Sequence, residues 1–128
     1  MYLDYAGIRV TRLAPAIRFL RQGLGLTVQR RGTMAHGGRW VLLEDPRSHQ
    51  LLELNYYPKG TRYWTPFVAG EGLDHLGVRV SDLAAAGRRI RRAGGRKISE
   101  IRYRGRPVLV YYEGPDKIWV ELILSPTD

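Results

Sequence analysis

No cysteine occurs among the 128 residues. Its absence excludes thiolate nucleophiles, thiolate metal sites and disulfides. Long apolar runs are also missing. Nothing approaches the roughly 20 residues that cross a bilayer, and the N-terminus has no apolar stretch resembling a signal peptide, so a cytoplasmic protein without a membrane partner is expected. Acidic residues are scarce, with 12 Asp and Glu against 21 Lys and Arg and a formal net charge of +9. A basic balance is the first footprint of phosphate binding. Here, however, Arg18, Arg21, Arg88, Arg89, Arg91 and Arg92 fall on predicted helices as a solvated face, which argues against nucleic acid and leaves an attraction for small anions. Glycine-rich dinucleotide fingerprints, phosphate-binding P-loops, HExxH, GxSxG and basic-aromatic RNA-binding signatures are all absent.

What is present is a duplication. Leu3-Asp4-Tyr5-Ala6-Gly7-Ile8-Arg9-Val10 returns as Leu73-Asp74-His75-Leu76-Gly77-Val78-Arg79-Val80. Leu13, Ala14, Ala16, Arg18, Arg21 and Gly25 recur as Leu83, Ala84, Ala86, Arg88, Arg91 and Gly95. Further on, Leu51-Leu52-Glu53-Leu54 matches Trp119-Val120-Glu121-Leu122 at an offset shorter by two. An internal repeat sets the architecture before any single element does. A module of about 60 residues buries only roughly 60% of its unfolded surface, so the two copies are expected to pair, within the chain or in a homodimer.

Residues 5–10 alternate as a strand packed on one side, with Ala6, Ile8 and Val10 inward and Tyr5, Gly7 and Arg9 outward. Thr11 and Ser81 are placed to cap the helices that follow, in which Leu13, Ile17, Leu20 and Leu24, or Leu83, Gly87, Ile90 and Gly94, repeat at helical spacing. The helices are expected to end near Gly23 or Gly25 and near Gly94-Gly95. Strands follow at about 26–33, 39–45 and 50–57, and again at about 97–104, 107–113 and 117–124. Turns are expected at His36-Gly37-Gly38, Asp45 to Ser48, Arg104-Gly105-Arg106 and Glu113 to Asp116. The fold class is therefore α+β: two paired βαβββ modules, about 1–58 and 72–128, whose curved sheets surround a cavity. The irregular connection 58–72 carries Tyr63, Trp64, Pro66 and Phe67. A loop of that length is either functional or a linker whose aromatics pack on the sheet edge.

In the last strand of each module, Leu52 and Leu54, or Val120 and Leu122, face the helices. Glu53 and Glu121 must then point the other way, from apolar strands. A carboxylate in such a place needs a cation or a paired arginine. His75 shares the outward face, and two carboxylates with one imidazole suit a divalent metal. His36 is either an exposed turn histidine or a further ligand or proton shuttle at a loop tip folded over the cavity. His49 receives no role.

The paired modules, the "DHLGV" that opens the second and the "WVELI" near the C-terminus resemble the vicinal oxygen chelate superfamily, which includes glyoxalase I, thioester epimerases, extradiol dioxygenases and fosfomycin- and bleomycin-resistance proteins. The resemblance covers nearly the whole chain. It implies a glyoxalase-type lyase or isomerase in which one divalent ion (Zn, Ni, Mn or Fe) binds adjacent substrate oxygens and stabilises an enediolate, while Glu121 or Glu53 moves the proton. The family's four ligand positions fall on Tyr5, Glu53, His75 and Glu121. Three match, and Tyr5 stands where the family has His or Gln. Tyr5 then ligates as a phenolate, donates a proton beside a three-ligand metal, or fills space.

A substrate-binding set of Arg9, Asn55, Tyr57, Trp64, Arg79 and Trp119 is expected to receive a small anionic molecule, with Arg9 at the position that the likeness gives to an anionic group. The rival readings within the fold are a metal-free protein that binds a drug or metabolite, an extradiol-type dioxygenase and a thioester epimerase.

Overall fold

Alternation produces the strands where expected. The computed structural model describes residues 4–71 and 73–125; Leu3 of the first repeat and Gly72 at the end of the connection lie outside the described residues. The first module runs β1 (Tyr5–Arg9), α1 (Leu13–Arg18), β2 (Thr27–Thr33), β3 (Arg39–Glu44) and β4 (Leu51–Tyr56). The second runs β5 (Leu76–Val80), α2 (Leu83–Arg92), β6 (Arg96–Tyr103), β7 (Arg106–Glu113) and β8 (Trp119–Leu124). Each module forms one four-stranded sheet, in the order β1-β4-β3-β2 or β5-β8-β7-β6. In both, the first and last strands are parallel neighbours and the remaining pairs are antiparallel.

Two helix details differ from the sequence expectation. The N-caps are Arg12 and Asp82, one residue later than Thr11 and Ser81. Asp82 accepts a bond from the Ala85 N–H. The Thr11 hydroxyl and N–H instead both donate to the Asp116 carboxylate, at 2.7 and 2.8 Å, tying the start of the first helix to a turn of the second module. The first helix also widens into a π-helical turn at Phe19–Gly23, which brings Phe19, Leu20 and Gly23 all inward. Beyond α2, Gly94 adopts φ +102° and the Gly95 N–H bonds the Ile90 carbonyl, a glycine-terminated helix end of the expected kind.

One core serves both modules. Ile8, Val10 and Leu54 from the first sheet join Val120, Leu122 and Tyr112 from the second, with Leu20 and Ile90 from the helices between them. The buried ring of Phe19 crosses from one module to the other, lying so close to Gly95 and Gly114 that a Cβ there would come within 3.1 and 2.6 Å of it. Ala6, expected inward, is exposed, because it borders an apolar groove between the modules with Leu52, Leu76 and Val78.

This shared core determines which surfaces remain open. The helix-side faces of both sheets contribute to it, with the helices between them, so the faces carrying the two glutamates are turned away from the core.

Candidate metal and acid–base site

On the outward face of the second sheet, three side chains meet. His75 Nε2 lies 2.9 Å from Glu121 Oε2, and the Tyr111 hydroxyl donates to the same oxygen at 3.1 Å. Tyr111 reaches Glu121 because the two residues pair directly across β7 and β8. Its ring edge also packs on His75, with centroids 5.7 Å apart. Partial burial raises the Tyr111 pKa above the ordinary phenol value, and the hydrogen bond and charge of Glu121 add to this. The phenol therefore remains a donor at neutral pH.

The other His75 nitrogen, Nδ1, lies 2.6 Å from Asp74 Oδ2. Both ring nitrogens thus face carboxylate oxygens. A neutral ring that donates to Asp74 turns the Nε2 lone pair toward Glu121, and two such acceptors require a proton or a cation between them. Ligand atoms about 2.1 Å from a common ion at a right angle are about 3 Å apart, which is the spacing seen here. The pair fits two adjacent ligand positions.

Glu53 does not join them within the chain. Among the described residues, no three His, Asp or Glu side chains converge as a metal group. Glu53 lies on the outward face of the first sheet, where it lines an open concavity of about 640 Å³ with Tyr5, Trp40 and Leu42. Its Oε1 accepts from Asn55 Nδ2 at 2.8 Å. Among the described residues, neither Glu53 nor Glu121 is salt-bridged to a lysine or arginine. The guanidinium partner that would account for both acids without a metal is therefore not observed.

The remaining expected residues lie around these two faces. Arg9 is held by the connection: its terminal nitrogens donate to the Thr65 hydroxyl at 2.8 Å and the Thr65 carbonyl at 2.6 Å, and its guanidinium lies over Tyr57 and Phe67. His36 stacks with Tyr57 and meets Tyr63 edge-on, and its Nδ1 accepts from the Gly38 N–H. That places it in an aromatic cluster at the loop. Trp64, half-buried, lies beneath the Lys59 ammonium. Trp119, 39% exposed, donates its indole N–H to Glu113. Arg79 is exposed on β5, paired in register with Ile123. His49 contacts Glu44 at 2.7 Å.

Sequence reasoning missed Tyr111 and Asp74. Tyr111 was within reach, since Val110 and Tyr112 are core residues and the residue between them must face outward.

The family model described as Glyoxalase/Bleomycin resistance protein/Dioxygenase superfamily matches residues 2–122. The chain belongs to this superfamily. No curated protein sequence matches it. Among solved structures, a glyoxalase family protein from Bacillus cereus superposes with a TM-score of 0.76 at 20% identity, covering 97% of this chain and 93% of that one. The fosfomycin resistance protein FosX from Listeria monocytogenes gives 0.72 at 12% identity, covering 95% and 91%, and a mutant glyoxalase I from Zea mays gives 0.70 at 20%, covering 93% and 44%. The α+β architecture of two curved four-stranded sheets is the one these superfamily structures share. FosX has been crystallised with Mn(II) and sulfate. Among the described residues, no helix is long and apolar enough to cross a membrane.

Proposed function

We propose that the chain is a homodimeric, divalent-metal-dependent lyase or isomerase of the glyoxalase type, acting on a small anionic substrate. The observation that carries this reading is the division of the acids. His75 and Glu121 meet at 2.9 Å on one outward face, while Glu53 stands with Tyr5 on the other. A second copy that apposes its second sheet to the first sheet of its neighbour unites Glu53 with His75 and Glu121 of the partner subunit. The same pairing covers aromatic and aliphatic side chains that a single chain leaves in water, among them Tyr5 (44% exposed), Trp119 (39%) and Ile101 (54%).

When bound, a divalent cation supplies a Lewis acid for two adjacent substrate oxygens. The protein supplies the rest. Tyr111 and His75 fix the orientation of the Glu121 carboxylate, and Asn55 fixes that of Glu53. Either carboxylate can take a proton from one carbon and return it to the neighbouring one. Tyr5, beside Glu53, is a phenol donor in the same hollow. A small anion suits the basic protein, and a FosX variant has been crystallised with Mn(II) and a dihydroxypropylphosphonic acid.

Mixed dimers test this reading. Glu53→Gln and Glu121→Gln proteins are each expected to bind no Mn²⁺. Dimers formed from one subunit of each recover one intact site, because the unaltered Glu53 of one meets the unaltered Glu121 of the other. Calorimetry that finds no Mn²⁺ bound to mixed dimers, or a wild-type protein that sediments as a monomer, overturns the shared site.

A further inference from the structure

A β-bulge in the first sheet decides which arginine reaches the concavity. Val28 pairs with Leu43, but the next paired residue is Arg30, opposite Leu42, so Gln29 is the extra residue. Bulges of this kind re-aim side chains and are frequent beside functional sites. The register continues from Leu42 to Glu53 on β4 and from Glu53 to Gly7 on β1. Arg30, Leu42, Glu53 and Gly7 therefore form one row across the outward face. The second module has the same bulge, with Ile98 as its extra residue, and the equivalent row is Ser99, Tyr111, Glu121 and Gly77. The architecture of the row is duplicated, but its chemistry is not.

Two arginines of the first module belong to this face, and they differ in freedom. Arg9 is bonded twice to Thr65 and covered by Tyr57 and Phe67. Arg30 lines the concavity with Tyr5, Trp40 and Glu53. Among the described residues, it takes part in no salt bridge, although Asp4 lies on the same rim. Between Arg30 and Glu53 the floor is apolar. Leu42 is buried outside the common core, and the Trp40 indole lies flat across Gly32, where a Cβ would come within 2.7 Å of it. Adjacent strands are about 4.8 Å apart, so the Arg30 and Glu53 main chains are separated by about 10 Å.

We propose that Arg30, and not Arg9, is the residue that receives the anionic group of the substrate. The substrate class is then a small molecule whose anion is joined by a short apolar spacer to the group presented at Glu53. This deepens the proposed function and rests on its reading of the Glu53 face as half of the reactive site.

The test uses the full-length metal-free protein, with tryptophan fluorescence reporting titrations of phenylbutyrate and of the uncharged phenylbutanol. Wild type is expected to bind the carboxylate more tightly than the alcohol. Arg30→Gln should weaken the carboxylate about tenfold, the scale of a lost charge-assisted bond, and leave the alcohol unchanged. Arg30→Lys should fall between the two. Arg31→Gln, which removes the same charge from the opposite face, should have no effect.

Equal affinity of the wild type for both ligands, or an Arg30→Gln change that is nil or the same for both, overturns the proposal. Failure of the metal reading looks different. Glu53→Gln, read by Mn²⁺ binding, addresses that reading alone, and a protein that holds phenylbutyrate through Arg30 but binds no Mn²⁺ loses only its metal chemistry.

Discussion

The Tyr111 phenol and the Glu121 carboxylate face each other across an antiparallel strand pair, with the hydroxyl 3.1 Å from Oε2. His75 touches the same oxygen, so Tyr111 and His75 together leave the carboxylate little rotational freedom. Groups that orient a metal ligand typically account for ten- to a hundredfold in metal affinity. Tyr111→Phe is therefore expected to weaken Mn²⁺ binding roughly tenfold while leaving the thermal midpoint unchanged, both readable by calorimetry. A lowered midpoint with unchanged Mn²⁺ affinity would assign Tyr111 to packing alone.

A glycine stands beside each glutamate in the parallel neighbouring strand, Gly7 beside Glu53 and Gly77 beside Glu121. The two are not equivalent. A Cβ on Gly7 would lie 2.9 Å from Asn55 Oδ1, whereas on Gly77 its nearest neighbour is Ile123 Cδ1 at 3.8 Å. Gly7→Ala should displace Asn55 from Glu53 and lower Mn²⁺ affinity, and Gly77→Ala should be tolerated. Similar Mn²⁺ affinities for the two variants would show that Asn55 does not position Glu53.

Gly114 belongs to the second module, yet its space is filled by Phe19 of the first. A methyl group there would meet the buried ring at 2.6 Å. Overpacking of this kind costs about 1–3 kcal/mol, so Gly114→Ala should lower denaturant stability by that amount. Both modules should still unfold in one transition. Two separate transitions would show that the core is not shared.

Glu113 supplies the pH dependence. Burial pushes its carboxyl up, but the hydrogen bonds from the Trp119 indole and Arg96, with the charges of Arg96 and Lys117, outweigh that and hold it below the ordinary carboxylate range. A depressed pKa stabilises the fold above the unfolded-state value of about 4.3, and that contribution is lost as pH falls through the lower folded value. Thermal midpoints measured from about pH 6 to about pH 3 should therefore decline less steeply for Glu113→Gln than for wild type. Parallel curves would show that the Trp119 and Arg96 bonds carry no linkage.

Much of the fold is local chemistry and was legible in the residues. Alternation marks the eight strands to within a residue or two, and glycines mark the helix ends and hairpin turns, because each depends on neighbours in the chain. The outward placement of Glu53, His75 and Glu121 followed from the same alternation. The widening of the first helix at Phe19–Gly23 and the shift of its cap from Thr11 to Arg12 did not. Both answer to the second module, whose Gly114 admits the Phe19 ring and whose Asp116 binds Thr11.

The sequence alone determined a duplicated βαβββ chain with an acid in each last strand, since period-two patterning and a seventy-residue repeat are properties of residue order. Only the tertiary structure decided that the helix faces of the two sheets share one core and leave those acids on the faces turned away from it. It alone placed Tyr111 on Glu121, tied Arg9 to Thr65 and, through a one-residue bulge, set Arg30 in the row of Glu53. The physical reason is that burial chooses which faces meet and that a bulge moves every later side chain by one position. Neither leaves a mark in the local pattern of apolar and polar residues.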